Sequence, residues 1–587
     1  MKTHRRIVLC LSALVAAAAS AQAAPAVVAR IKVHNPSKDA LVGAVVRGAL
    51  PLPAGYAKPV AALAVREGAR VAPTQVSVFA TYAGSDEKFP VGRPEVVQLA
   101  FRADLPAGKV SEFEVVELPK APAGTEAAPG KALAALLSSK AAVVVEARDA
   151  FGNVYRCEPL AAAGLIETRQ VGAVLTERLY QSILTPVGSA PEGKPALKRF
   201  LRVRAYLTTY AGEDAASLSL MIHNGSMDHP NSEVYYRDIR VGVAEAGEAK
   251  VWLKQFSPAA DGKASRSDGY TWLPCPPAHP DGKLYVFPHG SAAVLRMTLC
   301  TPGARERALA LCENAPRFVP APSQELFSWS NFATARYGAP KYPMPLDLGP
   351  DAFARAGRAA AAQDSPTLNK LLAYLPAGDA GGLRTLGHAM PAHSPYGGVT
   401  GGGGILMVFG AEAAVTGNNA AIWDHVLLAD RYWDRHHQHL FYDSDGKPFL
   451  IRRHLADTPA GEALEFPCEH LFRARVLRVE DPACKVHTQY VKAGDLQAPQ
   501  AKQLLRYMDQ DDQHLCRVFD AVPAAYLACD PVNRDRLVTL GTQACWKRNI
   551  YPYKDNPSAG GYRSLFELKA HADKAPHTGL FIGRAHG

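Results

Sequence analysis

The sequence holds no Cys-x-x-Cys pair and only 10 cysteines in 587 residues. Ligand pairs at that spacing build zinc ribbons and thioredoxin-like centres, so both are excluded, and a disulfide-built scaffold needs a denser set. Past the N-terminus no apolar run approaches the roughly 20 residues that cross a bilayer. The Ala-rich stretch around Ala354 to Ala362 is short and broken by arginines. Dense Lys/Arg tracts, zinc-finger spacings and helix-turn-helix signals are missing, so no nucleic-acid partner is expected. Four glycines at 401–404 lack the Lys-Ser/Thr ending of a phosphate-binding loop.

What is present begins with an export pattern. Lys2, Arg5 and Arg6 precede an apolar run from Ile7 to about Ala19, and Ala21-Gln22-Ala23 supplies a small-x-small cleavage site. A cleaved signal over residues 1–23 and a soluble product, periplasmic or extracellular, are expected, with no membrane span. Cys10 lies inside the apolar run, which excludes a lipidated N-terminal cysteine. Loss of Lys2, Arg5 and Arg6 takes the formal charge from +10 to +7, a balance compatible with an anionic polymer as partner. Among the remaining cysteines, Cys300 with Cys312 and Cys468 with Cys484 are the first candidates for local bridges.

From Val27 to Leu118 short alternating runs read as strands: 29–34, 78–82, 95–101 and 112–117, with Pro-Ala-Gly turns at 53–55 and 106–108. A small β-barrel or sandwich fits this pattern over 24–120, followed by a Pro/Ala/Gly-rich linker over 121–138. Segments 142–147, 200–207, 216–222, 284–287 and 293–297 predict a large antiparallel β-sandwich over 139–320. Beyond about Phe327 the period changes. Trp423, Val426, Leu427, Asp430 and Trp433 recur at helical spacing, Asp512 opens a second helical segment, and 533–545 is a third. The chain is thus multidomain β plus α, with a helical region over 321–587.

Gly48-Ala-Leu-Pro-Leu-Pro-Ala-Gly55, Val78-Phe-Ala-Thr-Tyr82 and Phe101-Arg-Ala-Asp-Leu-Pro-Ala-Gly108 resemble the small N-terminal barrel of exo-rhamnogalacturonan lyase-like secreted proteins. Tyr206-Leu-Thr-Thr-Tyr-Ala-Gly212 and Leu220-Met-Ile-His-Asn-Gly225 are similar to the central sandwich of that group. Tyr396-Gly-Gly-Val-Thr-Gly401 and Asp512-Gln-His-Leu-Cys-Arg517 look like its α/α toroid. The resemblance implies a small N-terminal β-barrel, a β-sandwich and an α/α toroid-like domain, the last either short or incomplete. It also implies β-elimination on an acidic polysaccharide or oligosaccharide, or a related carbohydrate activity.

Elimination needs a clamp for the uronate carboxylate, a base for the C5 proton and an acid for the leaving oxygen. His393 and Tyr396, in a glycine-rich loop with His388, offer that vocabulary, as do His514 and Arg517, three apart on one helix side. These four are the candidate catalytic residues. Substrate-binding candidates are His223, Asn224 and Tyr236 in the sandwich, His388 in the loop, and Trp433 and Arg435 in the segment 430–437. Each has a structural alternative: a turn with satisfied polar groups, a solvated helix face, or ordinary β-loop residues. His436, His437 and His439 supply imidazoles without a converging set, so no metal and no cofactor is expected. Hydrolysis is the competing chemistry, with Glu465, Glu469, Asp509 and Asp512 as its carboxylates. A non-catalytic glycan-binding protein is the third reading.

Overall fold

The computed structural model describes residues 25–320 apart from 36, 53–55, 82–91, 122–125, 127, 189–195, 225–233, 255–262, 279, 281, 283, 288–291 and 313–314. It also describes 419, 422, 423, 426, 478–480 and 525–538. Two sandwiches account for nearly all of it. In the first, a five-stranded sheet runs in the order Phe318–Pro320, Ala26–His34, Val110–Glu117, Leu63–Glu67, Arg70–Val71. It faces a three-stranded sheet of Leu41–Pro51, Pro94–Leu105 and Thr74–Thr81. Alternation along the strands sends Ile31, Val33, Phe113 and Val115 from one sheet against Val46, Leu50, Val97, Leu99 and Phe101 from the other.

The expected small barrel is corrected to this open sandwich: among the described residues no sheet closes on itself. The reason lies at the 106–108 turn. Pro94–Leu105 and Val110–Glu117 are consecutive in sequence but enter different sheets, so no continuous ladder runs around the core. Asn35 pins that crossing by donating from its side chain to the Leu105 and Pro106 carbonyls, 3.2 Å each.

The large sandwich packs a six-stranded sheet against an eight-stranded one. The six-stranded order is Leu165–Val171, Leu175–Ile183, Arg202–Tyr210, Ala215–His223, Ala292–Cys300, Glu248–Lys254. The main path of the other is Thr185–Pro186, Val154–Cys157, Val143–Asp149, Val234–Ala244, Tyr270–Pro274, Ser265–Ser267, with Leu284–Phe287 also on Val234–Ala244 and Arg478–Glu480 beyond it. Val203, Ala205, Leu207, Leu218, Leu220 and Ile222 meet Val143, Val145, Ile239 and Val241 in the shared core.

Among the described residues three helical stretches of eight residues stand out: α1, Lys131–Ser138; α2, Arg305–Cys312; and α3, 531–538. Each plugs an apolar cluster, α1 through Leu133 and Leu136, α2 through Ala308 and Leu311, α3 through Val532. α1 falls in the stretch read as a linker. The expected α/α toroid is corrected as well: among the described residues the helices are too few and too short to ring a domain, and most of 321–587 lies outside those residues. Asn419, Ile422, Trp423 and Val426 are helical, and all four are buried. Cys300 and Cys312 share one buried apolar cluster as free thiols, while Cys468 and Cys484 lie outside the described residues.

After the large sandwich the chain returns to the first. Phe318 joins the first core and lies flat on Gly48, where a Cβ would come within 2.6 Å of its ring. Phe318→Ala is expected to cost about 3–5 kcal/mol and to lower the midpoint of chemical denaturation; an unchanged midpoint would contradict this role.

Candidate functional site

The central strands of the six-stranded sheet, Arg202–Tyr210, Ala215–His223 and Ala292–Cys300, are buried on both faces. Strand Arg202–Tyr210 is buried at every position, with Val203, Ala205 and Leu207 in the core and Arg202, Arg204, Tyr206, Thr208 and Tyr210 on the opposite side. Register places Gln181 and Met221 beside Arg204, and Ser219 between Tyr206 and Arg296. A buried guanidinium needs an opposed carboxylate or equivalent hydrogen bonds, because desolvation disfavours an isolated charge. Segment 525–538 supplies the carboxylates.

Asp530 and Pro531 form a helix start of a well-understood kind: the Asp caps, and the Pro takes the first helical position, where no N–H is needed. Asp530 Oδ2 accepts the Asn533 backbone N–H at 2.9 Å and its side-chain amide at 2.7 Å. The same carboxylate receives Arg296 through two parallel bonds, Nη1 to Oδ1 at 2.6 Å and Nη2 to Oδ2 at 2.9 Å. One helical turn later, Asp535 accepts Arg204 Nη2 at 2.6 Å and the Tyr206 hydroxyl at 2.8 Å on Oδ2, and Arg169 on Oδ1. Arg169 also donates to the Pro531 carbonyl at 3.1 Å. Val532, Asp535 and Arg536 lie three and four apart, so one face of α3 meets the sheet.

Electrostatics follow from that geometry. Burial pushes the Asp530 carboxyl up, but the charge and hydrogen bonds of Arg296, with those of Asn533, outweigh it and hold the group below its ordinary range. Burial acts likewise on Asp535, where Arg169 and Arg204 prevail in the same direction.

A second knot ties three chain segments at Arg317. Its Nε donates to the Ala528 carbonyl at 2.6 Å, its backbone N–H to the Asn419 side-chain oxygen at 3.0 Å, and its guanidinium lies 4.8 Å from the Trp423 ring centre. Trp423 Nε1 donates to the Ala315 carbonyl at 3.0 Å. Burial, then the neighbouring Arg47 charge, lowers the Arg317 pKa to about 10, which keeps the group cationic at neutral pH. Arg47 is itself paired with buried Glu177 at 3.1 Å. Cys529 sits between these groups in the left-handed region, φ 52°, and its thiol is raised by burial.

Of the substrate-binding candidates, His223 and Asn224 end strand Ala215–His223 and are both fully buried at the edge of this polar face. Burial, then Arg202 and Arg204, lowers the His223 pKa well below the ordinary value, so the imidazole is neutral. Tyr236 is fully buried in the sandwich core, stacked on Tyr285 with ring centres 5.3 Å apart. Tyr235 points the other way, into a cluster with Ala150 and Leu284, as alternation requires. His388, His393, Tyr396, Trp433, Arg435, His514 and Arg517 lie outside the described residues, as do Glu465, Glu469, Asp509 and Asp512. Sequence reasoning missed Asp530 and Asp535; the Asp530-Pro531 pair, an N-cap signal, was the cue. Among the described residues there is no group of three or more His, Cys, Asp or Glu able to hold a metal, and no helix long and apolar enough to cross a membrane.

No family model and no curated protein matches the chain. Among solved structures, a glycosyl hydrolase family 38 protein from Enterococcus faecalis is similar at 9% identity and TM-score 0.27, over 50% of this chain and 47% of that one. An α-mannosidase from Enterococcus faecalis V583 follows at 11% identity and TM-score 0.26, over 47% and 44%. The chain thus spans less than half the length of either. Likeness at this level defines neither a shared fold nor a shared reaction. Both are named as glycoside-processing proteins and neither as a lyase, and the four residues expected to carry elimination, His393, Tyr396, His514 and Arg517, lie outside the described residues.

The charges define two pH windows for stability. A carboxyl depressed on folding stabilises above its unfolded value and loses that contribution as pH falls through the folded one, so the Asp530 and Asp535 contributions should fade below about pH 4. A histidine whose pKa is depressed on folding opposes protonation, so its penalty should begin as pH falls through about 6.5. His223→Gln is expected to flatten the upper window only, and Asp530→Asn to cost about 3–5 kcal/mol at neutral pH by stranding Arg296. Denaturation midpoints across pH check both, and an unchanged upper window in the His223 variant would contradict the first.

Proposed function

We propose that this chain is an exported, carbohydrate-active protein that hydrolyses glycosidic bonds in an acidic polysaccharide. The observation that carries the reading is that described residues on either side of 427–524 come together at Arg317. Asn419 and Trp423 on one side of that stretch, and Ala528 on the other, all meet Arg317. The stretch contains Glu465, Glu469, Asp509 and Asp512, the carboxyl groups that a general acid paired with a base or nucleophile requires. Carboxylates in the junction itself are committed elsewhere: Asp530 to Arg296, Asp535 to Arg204 and Arg169, Glu177 to Arg47. They hold the scaffold, and the reading gives the chemistry to carboxylates of 427–524. Export to the periplasm or the medium is supported by the layout of residues 1–23, and an acidic substrate by the positive charge of the chain.

Incubation of the full chain with polygalacturonate, a glucuronan and a neutral mannan, following reducing ends and ultraviolet absorbance together, tests this. Reducing ends without absorbance are expected on an acidic polymer. Glu465→Gln, Glu469→Gln, Asp509→Asn and Asp512→Asn, made singly, should include two that lower the rate by about 100-fold or more. Absorbance from a new C=C bond would contradict hydrolysis, and silence on every polymer would contradict turnover altogether.

A further inference from the structure

The outer face of the eight-stranded sheet, the side away from the core, carries a charged array. Glu146 on Val143–Asp149 stands opposite Arg156 on one neighbouring strand and Arg240 on the other. Arg156 gives Nε and Nη2 to Glu146 Oε2 at 3.1 and 2.7 Å; Arg240 gives Nε to Oε1 at 2.8 Å and closes the fork with Nη2. Two residues along, Arg148 faces Asp238 through the same kind of fork. Three guanidiniums thus meet two carboxylates, and the excess charge is positive.

Exposure shows which partner faces water. The carboxylates are sunk, Glu146 at 5% and Asp238 at 9%, while Arg148 stands 48% exposed and Arg156 and Arg240 35% each. Beneath Arg240 lies Trp272, its ring centre 4.0 Å from the guanidinium carbon and its surface almost wholly covered. Arg156 approaches the same ring at 5.7 Å. The indole can lie flat because Gly242 has no side chain; a Cβ there would come within 2.8 Å of the ring and 2.7 Å of Val144. Trp272 Nε1 donates to the Ser267 carbonyl at 3.2 Å and fixes the plane. The guanidiniums are therefore held in place before any ligand arrives, which lowers the entropy cost of using them. Their Nη1 groups make no hydrogen bond among the described residues.

We propose that this face, Arg148, Arg156 and Arg240 on the Trp272 platform, is a docking surface for the carboxylate groups of an acidic polysaccharide. Charge complementarity and the uncommitted Nη1 edges of the three guanidiniums select a row of carboxylates, and planar guanidiniums suit them better than ammonium groups. The proposal rests on the acidic-substrate reading above and adds a second place of contact, formed by none of the residues assigned to turnover.

The test is titration of the full chain with polygalacturonate at low salt, by calorimetry, with hydrolysis measured in parallel. Arg148→Gln/Arg240→Gln is expected to raise Kd about tenfold or more, the loss of roughly 1.4 kcal/mol. Arg30→Gln/Lys38→Gln removes the same charge from exposed positions of the first sandwich and should change it less than twofold. Arg148→Gln alone leaves both forks on Glu146 intact and should weaken binding about threefold, which keeps the test valid should the double variant fold poorly by circular dichroism. Equal weakening in the two double variants would overturn the surface in favour of net charge. Unchanged binding in both Arg148 variants would overturn it outright, as would equal affinity for double-stranded DNA, a polyanion without carboxylates. Loss of hydrolysis with binding retained would instead contradict the hydrolase reading and leave the surface standing.

Discussion

A charge taken out of water must find its opposite within hydrogen-bond reach, and the junction of this protein is organised by that requirement. Arg204 and Arg296 project from the second face of a sheet whose first face is already committed to the sandwich core. Asp535 and Asp530 answer them from α3, more than 200 residues later in sequence. Neither pair contributes much net energy over an apolar replacement, since desolvation consumes most of the Coulomb gain. Their value is register: bidentate geometry admits one placement of α3, and the N-cap of that helix is part of the same bond set.

From that seam the arrangement of the rest follows. Gln98 accepts from Gln170 and donates to the Ala525 carbonyl, 3.0 and 3.3 Å, so the first sandwich grips both the large sandwich and the returning segment. Phe79 and Tyr526 add a ring contact at 4.6 Å, and Arg534 lies over Phe79 at 5.4 Å. Glu213 is held between Arg102 and Arg307, which joins α2 to the same corner. Arg317 then gathers the entry and exit of residues 427–524. The sandwiches thus act as a frame that fixes two ends of one stretch of chain, and the proposed chemistry is placed on that stretch.

Strands were legible where burial on one face imprints a period of two. Segments 29–34, 112–117 and 216–222 lie on observed strands, and 142–147 and 200–207 overlap strands that begin at Val143 and Arg202. What alternation does not reveal is the fate of the polar face. Arg202, Arg204 and Tyr206 carry the same pattern whether that face meets water or a distant helix, so the junction could not be read from the strands alone. Likewise Pro-Ala-Gly at 106–108 announces a turn but not that the chain changes sheets there, which is the difference between a barrel and a sandwich. His223 and Tyr236 stood out as polar and aromatic; their full burial depends on strands that pack over them from elsewhere in the chain. Asp530-Pro531 was the cue closest to the seam, a local signal that fixes a helix start and says nothing about Arg296.

The central claim is that the buried Arg–Asp pairs hold α3 on the sheet as one cooperative unit with the sandwich. Native-state hydrogen exchange of the 534–538 amides, in the wild-type chain and in Asp535→Asn, tests it most directly. Protection of those amides close to that of strand Arg202–Tyr210 is predicted, falling by at least a hundredfold in the variant while the strand changes far less. Free exchange of the helix in the wild-type chain, with the strand still protected, would contradict the account.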